Sequence, residues 1–236
     1  MELWVLGTAL GPLLIAGVFV YTLPGLPADR IVFQLAAMGV ILVGGIAIGG
    51  TLLFRRLNRM RDDRLGYLGE RAVGEYLEPL KPDGYRVFHD VPASNGKKRF
   101  NLDHVVVGPT GVALVETKAR RKRRARPGYK EYEASFDGRK VIFPWGEDTQ
   151  GIKQAKAQAD WLSNWITTRT GLKTPVRPIL TFPGWFVKES PSPGIRVINP
   201  KILPQAVKGR GQQILSAQEI DLIARQLDSI CRDVED

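Results

Sequence analysis

Asn101-Leu102-Asp103-His104-Val105-Val106-Val107-Gly108-Pro109-Thr110-Gly111-Val112-Ala113-Leu114-Val115-Glu116-Thr117-Lys118 is the stretch on which the reading of this chain turns. Two β-branched apolar runs flank Gly108-Pro109-Thr110-Gly111, and those four residues have the composition of a turn. A hairpin closed there sets Val107 opposite Val112, Val105 opposite Leu114 and Asp103 opposite Glu116. Directly opposed residues of an antiparallel pair have Cβ atoms about 4.5–5.5 Å apart, and like charges so placed destabilise a sheet. Two carboxylates in that position therefore ask for a cation between them. With no His or Cys beside them on that face, the ligand set is hard oxygen, which suits Mg²⁺ or Mn²⁺. Lys118 stands two residues beyond Glu116 and shares its face. A metal, two carboxylates and an ammonium on one surface suit phosphodiester hydrolysis: the metal acidifies a bound water and neutralises phosphate charge, and the lysine orients that water or stabilises the developing charge. The bland alternative is a solvated strand face carrying acid-x-Lys, and a one-residue slip in register would separate the pair.

Outward from this hairpin the chain reads as an α/β layout around a mixed sheet. Upstream, Asp62 to Leu80 has helical spacing and carries Glu70, a third acidic ligand or water-orienting group, or else a solvated helix glutamate. Gly66, Gly69 and Gly74 weaken that helix by about 1 kcal/mol each and hint at close approach to something. Tyr85 to Val91 is a strand, and His89-Asp90 reads as an ordinary strand pair. Downstream, Tyr132–Phe136 and Arg139–Phe143 form a small hairpin split by Asp137-Gly138. A long helix follows over Thr149–Thr170, closed by Gly171, then short strands over Val176–Phe182 and Ile195–Ile198. An amphipathic helix covers Ser216–Val234. His104 should point away from Asp103. Trp161 and Trp165, at i and i+4, read as core packing, and Cys231 as a helix residue without chemistry.

The 236 residues carry 34 Lys and Arg against 24 Asp and Glu, a net charge of +10. With 44% apolar residues in organised runs, disorder is excluded. One cysteine excludes a disulfide scaffold, and two histidines make a His/Cys zinc site untenable. The first quarter is different in kind. Leu3–Leu23 and Ile31–Phe54 carry no charge, and as helices they would span roughly 31 and 36 Å. A bilayer core is about 30 Å thick, so residues 1–54 are expected to form a transmembrane hairpin turning at Pro24–Arg30. A cleaved signal peptide fits poorly, since the first residues, Met1-Glu2, bring no Lys or Arg. Arg55, Arg56, Arg59, Arg61 and Arg64 follow the second run, in a basic juxtamembrane linker over 55–61 and just beyond it. They place both termini and the soluble part, 62–236, on the cytoplasmic side.

Arg120, Arg121, Lys122, Arg123, Arg124 and Arg126 leave the end of the Glu116–Lys118 strand together. DNA or RNA phosphate is the partner they suit. Neutralising about six phosphates would give a salt slope near −5 on B-DNA. Because the domain that carries this block is tethered close to the membrane, anionic lipid is a second candidate partner. Tyr129 and Tyr132 are either stacking residues or strand residues.

Gly69-Glu70, Asn101 to Pro109, Gly111-Val112 and Val115-Glu116-Thr117-Lys118 resemble the NERD (nuclease-related) domain of the PD-(D/E)xK restriction-endonuclease-like superfamily. The resemblance covers about residues 62–170 well and the rest loosely. It implies a restriction-endonuclease-like mixed β-sheet flanked by helices, here preceded by two transmembrane helices, and a Mg²⁺-dependent nuclease. Glu70, Asp103, Glu116 and Lys118 match the family pattern residue by residue. The family also places a glutamine in the helix after the core strands. Gln154 is the choice here, with Gln150 and Gln158 one turn to either side. Leu102 stands where the superfamily's name has proline, and the 120–126 block is no general family feature. Three functions remain open on the sequence: a membrane-tethered nuclease, a nucleic-acid-binding module without cleavage, and a structural membrane protein whose basic loop holds lipid.

Overall fold

The computed structural model describes residues 11, 14–15, 17–18, 21, 27–96, 98–189 and 192–232. The chain divides into two compact units, Met1–Arg64 and Leu65–Asp236. Most of the expected first membrane run lies outside the described residues. The second run lies in helix α1, Ala28–Leu77. Among the described residues this is the one helix long and apolar enough to cross a membrane, and its most apolar window is wholly unburied. The expectation of two such helices is therefore met by one. Inside the apolar run the Thr51 hydroxyl donates to the carbonyl of Ala47 at 2.7 Å, which satisfies it within the helix itself. The expected linker at 55–61 is helical too. The helix expected to start at Asp62 is the continuation of α1: residues 55–64 contain neither Pro nor Gly to break it, and Asp62 and Asp63 lie inside the helix and do not start it.

In the second unit, strands β1 (Arg86–Ser94), β2 (Arg99–Gly108) and β3 (Gly111–Thr117) form an antiparallel meander. Strands β7 (Val176–Thr181) and β9 (Arg196–Ile198) then add in parallel, for a mixed sheet ordered β1-β2-β3-β7-β9. Between β3 and β7 the chain makes the crossover that a parallel pair needs. It builds β4 (Glu133–Phe136), β5 (Val141–Phe143) and β6 (Gly146–Asp148), then helix α2 (Gln150–Thr170). Strand β8 (Phe186–Glu189) returns to pair with β4, giving a second sheet ordered β6-β5-β4-β8. Helices α3 (Leu203–Lys208) and α4 (Ala217–Arg232) complete the unit. A capping box starts α4: the Ser216 hydroxyl accepts from the Glu219 N–H at 3.3 Å, and Glu219 Oε2 accepts from the Ser216 N–H at 2.8 Å.

Both faces of the main sheet are covered. Val105, Val107, Val112 and Leu114 pack with Leu162 and Ile166 of α2 and Ile223 and Leu227 of α4. On the other face Val106, Ala113, Val115 and Ile179 pack with Val73 and Leu77 of α1 and Val207 of α3. Burial on both sides is why Val105-Val106-Val107 and Val112-Ala113-Leu114-Val115 show no polar alternation. Each of these large side chains, fully removed from water, contributes roughly 1.5–3 kcal/mol. Two of the three weakening glycines of α1 sit where backbone comes close. A Cβ on Gly69 would lie 3.2 Å from the Ala119 Cβ, and one on Gly74 would lie 3.3 Å from the His89 ring; around Gly66 there is open space.

The tightest packing constraint lies at the hairpin turn. A Cβ on Gly108 would fall 2.0 Å from the ring of Tyr85, whose hydroxyl is fixed by a 3.0 Å hydrogen bond with the Thr110 hydroxyl. The substitution Gly108→Ala is expected to destabilise the fold by about 1–3 kcal/mol, read as a lower midpoint in urea unfolding of the full chain. An unchanged midpoint would mean that Tyr85 is not held against the turn.

Candidate active site

The register of the β2–β3 hairpin is the one counted from its turn: Val107 faces Val112, Val105 faces Leu114 and His104 faces Val115. The ladder stops there. At the next step the Asp103 carboxylate replaces the backbone, and its Oδ2 accepts the Thr117 N–H at 2.7 Å. Local geometry allows this. Leu102 and Val105, three residues apart, pack in the same core cluster, as do Phe88 and Val91 on β1. Strict alternation would put the members of each pair on opposite faces, so both strands break it between them. On β1 the break coincides with Asp90 at φ 50°, the one described non-glycine residue with positive φ. A non-glycine residue there is uncommon, though aspartate tolerates it better than most, and such strain gathers at functional sites. The β1–β2 ladder passes from His89–His104 to Val91–Leu102, so Asp90 and Asp103 face each other across the gap.

Glu116 has no exposed surface, and the Lys118 ammonium lies 2.6 Å from its Oε1. Its Oε2 has no hydrogen-bond partner among the described residues. Burial, and then the Asp103 charge, push the Glu116 carboxyl up to about 7, against the lowering effect of Lys118 and Gln158. Burial also raises Asp103, opposed by the Thr117 N–H and Lys118 and reinforced by Asp90. Lys118 keeps its place because its own N–H extends the β7 ladder to the Thr181 carbonyl at 2.9 Å. The stem of Lys118 passes the first turn of α2 at Gly151, where an added Cβ would stand 3.5 Å from the Lys118 Cγ.

Glu70 of α1 joins this group electrostatically. Burial, then Asp103, then Asp90 raise its carboxyl, and Lys118 lowers it. Glu70 and Asp90 line a cavity of about 280 Å³ with His89 and His104. The two imidazoles share a hydrogen bond, Nδ1 to Nδ1 at 2.8 Å, and burial with the neighbouring ring pulls His104 down to about 3, so it stays neutral. Among the described residues no three His, Cys, Asp or Glu side chains are gathered into a metal-binding group. Asp103 and Glu116 are the two carboxylates that could take a hard cation, with water and a substrate phosphate as further ligands, as Mg²⁺ commonly has.

Of the three glutamines on α2, Gln158 stands at the site. It is buried, its Nε2 donates to the Asn101 carbonyl at 3.3 Å, and it acts on Glu116. Gln154 is half-buried, and no side-chain hydrogen bond of it occurs among the described residues. The choice between them turned on one helical turn, which periodicity alone does not resolve. Asp90 was also missed. Asn95-Gly96 is a hairpin-turn signal, but a two-residue loop there would set Asp90 opposite Asn101; the observed register, with Ser94 opposite Arg99, brings it opposite Asp103. The basic block leaves β3 as irregular chain and is not uniformly free. Arg120 pairs with Asp148 and Arg126 donates from Nε to the Pro144 carbonyl at 3.1 Å, with its guanidinium over the Tyr129 ring. Lys122, Arg123 and Arg124 are exposed.

The raised carboxyls fix the sign of a pH effect. A glutamate whose folded pKa lies above its unfolded value holds its proton in the native state while the unfolded chain has lost it. Its contribution is therefore full below about pH 4.5 and is lost as pH rises towards about 7. Unfolding midpoints measured across that window should show a shallower fall in Glu116→Gln than in the parent chain. Equal slopes would remove Glu116 as the titrating group.

No curated protein and no solved structure matches the chain. The family described as nuclease-related domain (NERD) matches residues 65–183, just over half of the chain. That span starts where the second unit starts and takes in Glu70, Asp90, Asp103, Glu116, Lys118 and Gln158. The chain belongs to the NERD, or nuclease-related domain, family.

Proposed function

We propose that this chain is a membrane-tethered, divalent-metal-dependent nuclease that hydrolyses phosphodiester bonds of nucleic acid, DNA before RNA, on the cytoplasmic side. The observation that carries the reading is the meeting of Asp103, Glu116 and Lys118 where β2 and β3 part, with Glu116 fully buried and one of its oxygens without a partner. Asp103 and Glu116 would hold Mg²⁺ or Mn²⁺. When bound, the cation acidifies a coordinated water and neutralises phosphate charge. Lys118 orients the attacking water or stabilises the charge that develops on the phosphate. Glu70 and Asp90 add negative charge on the approach to the pair, and Gln158 supports Glu116 from α2. Glu116 must be ionised to serve as a ligand, so activity should rise as pH passes about 7.

The membrane part of the proposal rests on the apolar run 31–54 of α1 and on the arginines after it, from Arg55 to Arg64, whose bias favours the cytoplasmic side. The nucleic-acid part rests on the block 120–126 leaving the same strand end as the carboxylates. Its exposed Lys122, Arg123 and Arg124 suit a phosphate backbone.

The test uses the full chain in lipid nanodiscs, offered plasmid, linear single-stranded DNA and RNA with Mg²⁺, Mn²⁺ or EDTA. Metal-dependent cutting is expected, reduced at least about 100-fold in Lys118→Ala and Glu116→Ala, with binding retained. Salt-sensitive binding without cutting in any of the three proteins would make the chain a nucleic-acid-binding module. Binding to anionic vesicles alone would make it a lipid-contacting protein.

A further inference from the structure

The aromatic residues assigned to core packing from their spacing line a cavity of about 680 Å³. Arg99, Phe100 and Asn101 at the start of β2 form one wall, and Trp161, Trp165 and Arg169 of α2 form the other. Trp161 and Trp165 touch the core but are only half-buried. Their rings lie 6.3 Å apart and within 20° of parallel, and Phe100 meets Trp161 edge-on at 5.5 Å. The indole N–H of Trp161 donates to the Ser94 carbonyl at 3.0 Å, which fixes that ring as a wall. Arg169 stands 6.0 Å from the Trp165 ring centroid, and both Arg99 and Arg169 are exposed.

Ring faces bordered by guanidinium groups are the two elements that single-stranded nucleic acid requires: platforms on which bases stack and cations that follow the phosphates. A duplex keeps its bases stacked inside and cannot use such rings. One hydrogen bond ties the cavity wall to the candidate active site. Gln158, which acts on Glu116, donates to the carbonyl of Asn101 in the cavity wall. On α2, Gln158, Trp161, Trp165 and Arg169 follow one another at intervals of three, four and four, so they form one stripe about 16 Å long.

We propose that this groove is a single-strand subsite, in which unpaired bases of the nucleic-acid substrate stack on Trp165 and Trp161 beside the scissile phosphodiester while Arg99 and Arg169 hold the flanking phosphates. The inference rests on the nuclease reading and deepens it.

The experiment is fluorescence anisotropy with the full chain in zwitterionic nanodiscs, in EDTA so that nothing is cut. The probes are a short single-stranded DNA, an abasic strand of the same length and charge, and a blunt duplex of the same length. The parent chain should prefer the base-bearing strand to both others. Trp165→Ala should weaken that strand about tenfold and leave the abasic strand unchanged, while Trp165→Phe keeps the preference. Arg169→Glu, on the exposed end of α2 and independent of core packing, should weaken both single strands. Equal binding of base-bearing and abasic strands by the parent chain overturns the proposal, as does unaltered single-strand binding by Trp165→Ala or Arg169→Glu. Because binding is read without cleavage, such a failure leaves the nuclease reading to its own metal-dependent test.

Discussion

A glutamate stripped of all solvent contact, with a lysine ammonium 2.6 Å from one oxygen and an aspartate charge working against it, is the interaction on which the second unit turns. Removing an ionised carboxylate from water costs several kcal/mol unless charge and hydrogen bonds compensate. Here the compensation is incomplete by construction. Lys118 serves Oε1, Oε2 is left alone, and Asp103 gives its own Oδ2 to the Thr117 N–H. A purely structural ion pair would have its remaining lone pairs satisfied. This one keeps a carboxyl raised to about 7 and an oxygen without a partner among the described residues at the point where two strands part.

The layers around the pair serve to hold it there. Packing on both faces of the β1-β2-β3-β7-β9 sheet makes the central strands rigid, and the carboxylates stand at the end where β3 and β7 finish. From one face α2 brings Gln158; from the other α1 brings Glu70. The basic chain from Arg120 onward leaves the same end, and the start of β2 carries Arg99 and Phe100 towards the aromatic stripe of α2. Acidic centre, basic exit and stacking wall thus share one end of one sheet.

Much of this was legible in the residues because it depends on short-range pattern. Gly108-Pro109-Thr110-Gly111 fixed the hairpin register, and the helices expected from Thr149 and from Ser216 begin one residue later, at Gln150 and Ala217. What was not legible depends on long-range or broken pattern. Strands β6 and β8 are short and take their partners from outside the main sheet, so no local period marks them. Regular alternation has no means of expressing the break at Asp90 and Asp103, which turns Asp103 towards the Thr117 N–H and brings in a fourth carboxylate. Gln154 and Gln158 differ by one helical turn, and only the packing of α2 against β2 distinguishes them. The apolar run 31–54 was plain, but its continuation through the arginines into the same helix was not, because nothing in the residues 55–64 requires or forbids a helix there.

The central claim is that the Asp103–Glu116 pair is a divalent-cation site, and Mn²⁺ binding to the full chain, followed by electron paramagnetic resonance from pH 5.5 to 8.5, tests it most directly. The account predicts a site that tightens as pH passes about 7, where Glu116 loses its proton, and that disappears in Asp103→Asn and in Glu116→Gln. Mn²⁺ binding that is indifferent to pH and to both substitutions, or no binding at all, would contradict it.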